Sequence, residues 1–218
     1  MSEHPAGLRE RKRQRTYRTI SEAAIALFLE KGFATVSVTE IAEAAQVSKP
    51  TLFRYFPTKE DMALHRLAGH EDEAARVVAA RAAGTSPLDA LETRFLAGLE
   101  TRDPVTGLCD APAVLAFHRL LYGTPSLLAR LRSYTARAED ALAGELEKAD
   151  PGRAASGAHQ RLTARLTAGQ IVAVQRVLAI ENWRRISEGA NAEDLYAPAR
   201  AEAHHAFALL RSGLTPYA

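Results

Sequence analysis

Lys49, Thr51 and Arg54 place two cationic donors and one hydroxyl within six residues. Lys and Arg donate to guanine edges or to phosphate oxygens, and Thr offers a hydroxyl to a base edge or a methyl to thymine. Pro50, between them, adds apolar contact surface. Such a set reads a nucleic acid only from an exposed face of a rigid element, so the residues around it decide whether it is a site.

Residues 37–60, SVTEIAEAAQVSKPTLFRYFPTKE, predict two short helices around a tight turn and the start of a third. Ser37 stands three residues before Glu40, the S-x-x-E pattern in which each side chain satisfies the other's free backbone N–H. Val38, Ile41, Ala42 and Ala45 follow at helical spacing on one face, and Gln46-Val47 ends the run. Ser48 offers a second N-cap. Pro50 suits the first turn that follows, where the N–H it lacks has no intrahelical partner. Leu52, Phe53 and Phe56 are expected to turn inward, leaving Lys49, Thr51, Arg54 and Tyr55 for solvent or a partner. Pro57 stops the helix, and Thr58 caps a third with Glu60 and Asp61 against its positive end. Ser37 and Ser48 are caps first, although a helix N-terminus is also a natural phosphate site.

In these residues the chain resembles the TetR family of bacterial transcriptional regulators. The likeness is carried by the preceding stretch ISEAAIALFLEKGFATVSV, the Ile41-Ala42 pair, the VSKPTLFRYF block and Lys59, in order and at the right spacing, over about the first quarter of the chain. The resemblance implies that Tyr55 and Lys59 clamp phosphates and that Thr39 reaches a base or a phosphate. It also implies a homodimer, in which the last two helices of each chain form a four-helix bundle across a two-fold axis. Two recognition helices about 34–36 Å apart meet successive major grooves, so the double-stranded DNA operator should be a near-palindrome.

Net charge is only +2, which hides an asymmetry: residues 1–60 hold ten Lys or Arg against seven Asp or Glu. The excess gathers in Arg9, Arg11, Lys12, Arg13, Arg15 and Arg18, with Glu10 the one opposing charge in that segment. Its place directly before the reading unit predicts a phosphate-contacting arm, with Arg15 and Arg18 nearest the unit. A supporting helix is expected from about Arg13 to Lys31, carrying Tyr17, Ile20, Ala24, Leu27 and Phe28 as one apolar stripe, with Gly32 as its stop.

From Lys59 a lever helix is expected to run to about Ala83. Beyond Gly84 the sequence reads as helices separated by Pro and Gly, expected over Pro87–Thr101, Ala113–Tyr122, Ser126–Lys148, Gly157–Ser187 and Ala192–Arg211, with a break at Asp150-Pro151-Gly152. The fold class is therefore all-α. It comprises an N-terminal three-helix helix-turn-helix DNA-binding domain over residues 1–60 and a C-terminal helical effector-binding and dimerisation domain over residues 61–218. The penultimate helix carries two apolar stripes, Ile171, Val174 and Leu178 beside Val177, Ile180 and Trp183, more than one core usually needs. The last helix presents Leu195, Ala199, Ala203, Ala206, Phe207, Leu210 and Leu214. With the bundle that the resemblance implies, the dimer interface is expected at Ile171, Val174, Leu178, Ala203, Phe207 and Leu210.

By the same resemblance the second domain is a sensor whose small-molecule effector releases the operator. Candidate pocket residues are His118, Arg119, Tyr122, Tyr134, Gln170, Asn182 and Trp183, set among Phe95, Leu99, Phe117 and Leu131; at each, an ordinary core role is the competing reading. Arg119, the Pro125-Ser126-Leu127 helix start and Trp183-Arg184 resemble regulators that sense acyl-CoA-like ligands.

Other chemistries find little support. The single cysteine, Cys109, excludes an internal disulfide and a multi-thiolate metal site, and reads as a small buried side chain. Cys109, Asp110 and His118 are close in sequence, yet there is no glycine-rich phosphate loop, nucleophile elbow or H-E-x-x-H, and His204-His205 point apart on a helix. No enzyme, cofactor or metal is expected. No stretch approaches the ~20 apolar residues a membrane helix needs, and the basic N-terminus has no apolar signal core behind it, so a cytoplasmic protein without membrane contact is expected. Repression is the family's default role; an activator or a ligand-independent DNA organiser would use the same fold.

Overall fold

Ser37, Ser48 and Thr58 begin three helices in succession, each through a side chain that accepts from the backbone N–H three residues on. The computed structural model describes residues 5–149 and 157–213. The break at Asp150-Pro151-Gly152 and Leu214 lie outside them. Among the described residues all regular structure is helical: α1 Pro5–Lys31, α2 Val38–Ala44, α3 Lys49–Tyr55, α4 Lys59–Ala68, α5 Glu73–Ala80, α6 Pro87–Glu100, α7 Pro112–Gly123, α8 Pro125–Ala149, α9 Gly157–Ser187 and α10 Ala192–Ser212, with a 3-10 turn at Pro104–Thr106.

Two helices depart from expectation. α1 begins at Pro5 rather than near Arg13, so the basic segment is a helical extension and not an extended arm. From Leu8 to Thr19 there is neither Gly nor Pro, and Arg, Lys, Glu and Gln are good helix formers. Thr16 and Thr19 donate to the carbonyls of Lys12 and Arg15, both at 3.0 Å, one turn back. The expected lever helix is two pieces. Gly69 caps α4, and Glu73 opens α5 with its carboxylate 2.6 Å from His70 Nδ1.

The chain divides into two units, residues 1–69 with 116–133, and residues 70–115 with 134–218. In the first unit Ile20, Ala24 and Phe28 of α1, Ile41 of α2, Leu52 of α3 and Met62 and Leu64 of α4 are buried. Within that interior the Ser21 hydroxyl donates to the Met62 carbonyl at 2.8 Å, fixing α1 to α4. The unit also takes in the end of α7 and the start of α8, where Phe117, Leu121 and Leu127 are buried.

The second unit is built on Leu91, Leu99, Leu108, Leu142, Ile171, Ala203 and Phe207. Cys109 is buried, as expected. Gly107, at φ 73°, lets the turn after Thr106 lie against α9, because a Cβ there would overlap the Ala179 carbonyl. Beside it Asn182 donates to the Thr106 carbonyl at 2.9 Å.

These packings correct three of the six residues expected at the dimer interface. Ile171, Ala203 and Phe207 are enclosed in their own unit, and the half-buried Leu178 and Leu210 pack against the same core. Val174 is half-buried. The large apolar side chains that α9 leaves exposed among the described residues are Leu162, Leu166 and Val177. At 3.6 residues per turn these three lie within about 60° of one another, as one stripe.

Candidate nucleic-acid interface

Helix α2 is closed at its start by a reciprocal cap. Ser37 N–H donates to Glu40 Oε2 at 2.8 Å and Glu40 N–H donates to Ser37 Oγ at 3.2 Å. The Ser37 backbone N–H, followed by Lys31 and the Ser37 hydroxyl, holds the Glu40 carboxyl down to about 2. At the other end Gln46 adopts φ 55° and Val47 N–H reaches back to the Ala42 carbonyl at 2.9 Å, so the turn is closed by the left-handed residue that commonly ends a helix.

The turn delivers α3. Ser48 Oγ accepts from Thr51 N–H at 3.2 Å and lies 2.8 Å from Thr51 Oγ1, so the Thr51 hydroxyl is engaged in the cap. Leu52 and Phe56 are buried behind the helix. Lys49, Pro50, Phe53 and Arg54 are exposed. Phe53 corrects the expectation that it turns inward: it is 49% exposed. The reason lies in the helical repeat, since Leu52 and Phe56 are four residues apart and share a face, whereas Phe53 is turned about 100° from Leu52.

Tyr55 is half-buried rather than open. Tyr17 of α1 meets its ring edge-on at 4.7 Å and stacks on His65 of α4 at 5.2 Å, and His65 lies against Phe56 at 5.3 Å. Burial, and then the charge of Arg18, push the His65 pKa below its usual value. Arg54 lies over the Tyr55 ring at 5.6 Å. Thr39 on α2 and Arg15 and Arg18 on α1 are exposed. Lys59 is differently employed: its ammonium donates to the Phe33 and Val36 carbonyls, both at 2.6 Å, bracing the loop between α1 and α2. A lysine ammonium has three donors, so one N–H remains beyond these two bonds.

The residues expected to line an effector pocket are spread over both units. Phe117, His118, Arg119, Tyr122 and Leu131 fall in the first, and Phe95, Leu99, Tyr134, Gln170, Asn182 and Trp183 in the second. Leu99 and Phe95 belong to the second unit's core, and Asn182 is committed to the Thr106 carbonyl. His118 is buried, which lowers its pKa. Arg119 is exposed. A cavity of about 280 Å³ in the second unit is lined by Ser86, Pro87, Leu88, Leu146, Thr167, Gln170, Ile171 and Leu210, sharing only Gln170 with the expected set.

Sequence reasoning missed three residues of this arrangement: Phe53, which the i, i+4 spacing of Leu52 and Phe56 would have turned outward, Tyr17, and Arg130 of α8. Arg130 Nε lies 2.8 Å from Asp61 Oδ1 across 69 residues of sequence, for which no local signal exists.

Comparison with known proteins agrees with this geometry. A family profile described as bacterial regulatory proteins, tetR family, matches residues 20–65, which take in the C-terminal part of α1, all of α2 and α3, and most of α4. The HTH-type transcriptional regulator TcmR of Streptomyces glaucescens is 33% identical over 180 residues, 82% of this chain and 78% of that protein. Among solved structures, NalD, the secondary repressor of the MexAB-OprM multidrug efflux pump in Pseudomonas aeruginosa, superposes with a TM-score of 0.56 at 18% identity, covering 89% of this chain and 96% of that one. GusR of Salmonella enterica gives 0.50 at 20% identity, covering 90% and 94%. These two show the shared all-helical fold. With the profile across the helix-turn-helix and a relative alike over most of both chains, the protein belongs to the TetR family and is a DNA-binding transcriptional regulator.

Proposed function

We propose that the protein is a homodimeric repressor that binds a near-palindromic operator through α3 and leaves it when a small molecule binds the second unit. The observation that carries the DNA contact is the exposed face of Lys49, Pro50, Phe53 and Arg54 on a helix held from behind by Leu52 and Phe56. Lys49 and Arg54 donate to guanine edges or phosphates, and Phe53 with Pro50 gives apolar contact to thymine methyls. Thr51, its hydroxyl engaged with Ser48, offers its methyl. Tyr55, Thr39, Arg15 and Arg18 contact the phosphate backbone, and Lys59 reaches a phosphate with the N–H beyond its two loop bonds.

The exposed α9 stripe of Leu162, Leu166 and Val177 supports a second copy of the chain as the cover for that face, in keeping with the two-fold symmetry common among soluble oligomers. The cavity at Gln170 supports an effector that is small and mostly apolar, with hydrogen-bonding groups for Ser86, Thr167 and Gln170. Its lining carries no Lys or Arg, so of an acyl-CoA-like molecule it would take the acyl part. To move operator occupancy from 1:99 to 99:1 the effector must prefer the released state by about 10⁴-fold, roughly 5.5 kcal/mol.

The test is recovery of genomic fragments by the purified protein beside a Lys49→Ala, Tyr55→Ala control. One near-palindromic site beside a promoter is expected, lost in the control. Many dispersed sites would indicate a DNA organiser, and equal recovery by the control would remove α3 from the interface.

A further inference from the structure

Phe53 is the largest apolar side chain left exposed among the described residues. Its neighbours along α3 have other places: Leu52 and Phe56 are buried behind the helix, and the rings of Tyr55 and Phe56 meet Tyr17 edge-on. A lone exposed apolar residue is ordinary on a protein surface, so exposure by itself assigns no role. What distinguishes Phe53 is the set of side chains around it.

Pro50 stands three residues before Phe53 and Lys49 four, and side chains at these spacings are neighbours on a helix. Pro50 and Phe53 therefore make one apolar patch on the exposed face. The Lys49 ammonium lies beside it, and Arg54, over the Tyr55 ring at 5.6 Å, lies beyond Pro50. Of these exposed side chains Lys49 and Arg54 are cations, Pro50 and Phe53 are apolar, and none carries a hydrogen-bond acceptor. The cations draw the phosphate polyanion to this face. In the major groove they meet the O6 and N7 acceptors of guanine. A patch with neither donor nor acceptor finds one apolar group there, the C5-methyl of thymine.

We propose that Phe53 makes DNA binding depend on the C5-methyl group of a pyrimidine and not on which pyrimidine carries it. A phenyl ring forms no hydrogen bond that separates the O4 acceptor of thymine from the N4 donor of cytosine. 5-Methylcytosine has the same methyl at the same ring position, so it stands in for thymine against Phe53, whereas uracil and unmodified cytosine do not. The protein thereby responds to cytosine C5-methylation: a duplex is bound more tightly where the added methyl meets this ring. The inference rests on α3 as the reading helix and names the chemical group that the helix reads.

The experiment takes the full-length protein and the preferred duplex that it selects from a random pool. Each pyrimidine of the bound sequence is replaced in turn, in matched pairs that differ by the methyl alone: thymine against uracil opposite adenine, and 5-methylcytosine against cytosine opposite guanine. At one or more positions wild type is expected to prefer the methylated member of both pairs by about fourfold, the effect of burying one methyl group. Phe53→Ala, at an exposed position, should keep the wild-type melting temperature and bring both ratios close to one, while guanine replacements still weaken binding. Phe53→Leu should retain part of the preference. Lys49→Ala should alter the guanine preference and leave the methyl ratios as they are. Ratios near one at every pyrimidine in wild type, or ratios that Phe53→Ala leaves unchanged, would overturn the inference. A thymine–uracil preference without the matching 5-methylcytosine–cytosine preference would overturn it too, since the whole base would then be read. If Lys49→Ala and Phe53→Ala both bind the selected duplex as wild type does, the reading of α3 fails and the inference with it.

Discussion

Tyr17 meets Tyr55 edge to face, with ring centroids 4.7 Å apart and planes at 82°. Tyr55 closes the recognition helix and Tyr17 belongs to α1, so a residue well upstream of the reading head fixes the orientation of a proposed phosphate contact. Tyr17 is also stacked on His65, which places α1, α3 and α4 in one aromatic cluster.

Removing the Tyr17 ring should therefore weaken DNA binding. Such an aromatic pair contributes about 0.5–1.5 kcal/mol beyond its burial, so Tyr17→Ala is expected to lose about two- to twelvefold in operator affinity. Tyr17→Phe keeps the ring and should bind nearly as wild type. Titration of labelled duplex distinguishes the two, and equal affinity of all three proteins would contradict the bracing role.

His65 should make the reading head acid-sensitive. Its folded pKa lies below the usual 6.5 because burial, and then Arg18, disfavour the charged ring. A group depressed in this way contributes stability that is present above its unfolded pKa and is lost as pH falls through the folded value. Melting temperature should fall from about pH 6.5 downward, and less steeply in His65→Phe. His70 acts with the opposite sign, since the Glu73 carboxylate raises its pKa: its contribution is full below 6.5 and fades as pH rises past the raised value. The comparison of wild type with His65→Phe isolates the first effect, and identical acid slopes would contradict it.

Lys59 serves two partners in this account, the loop carbonyls and a phosphate. Lys59→Ala is expected to cost about 1–2 kcal/mol of stability through the two lost charged hydrogen bonds. It should also reduce the slope of log affinity against log salt by about one. Lower stability with an unchanged slope would leave Lys59 as a brace for the loop and remove it from the DNA interface.

Gly107 should tolerate no side chain. At φ 73° with the Ala179 carbonyl against it, Gly107→Ala combines a strained backbone with overpacking against main chain and is expected to cost about 2–4 kcal/mol. Denaturant unfolding measures this directly; a loss below about 1 kcal/mol would mean that the turn can move off α9 at little cost.

The sequence was most informative where a few neighbouring residues decide the outcome. Ser37 with Glu40, Ser48 before Pro50, and Thr58 with Asp61 form the caps that their spacing announces, because a helix start is settled within one turn. Phe53 is apolar and yet faces outward, because helical phase and not hydrophobicity decides which side of α3 it occupies. The expected dimer residues Ile171, Ala203 and Phe207 turned out to be internal, since an apolar stripe does not say whether its own chain or another covers it. The pocket residues scattered for the same reason: burial depends on which helices meet. Arg130 and Asp61 find each other through tertiary folding alone.

Mapping the protected bases on one recovered duplex tests the central claim most directly. The account expects two symmetric protections in successive major grooves on one face of the DNA, with centres about 34–36 Å apart. Their sequence preference should change in Lys49→Ala, while Tyr55→Ala weakens binding without changing it. A single protected half-site, or a pattern that Lys49→Ala leaves untouched, would contradict a dimer that reads DNA through α3.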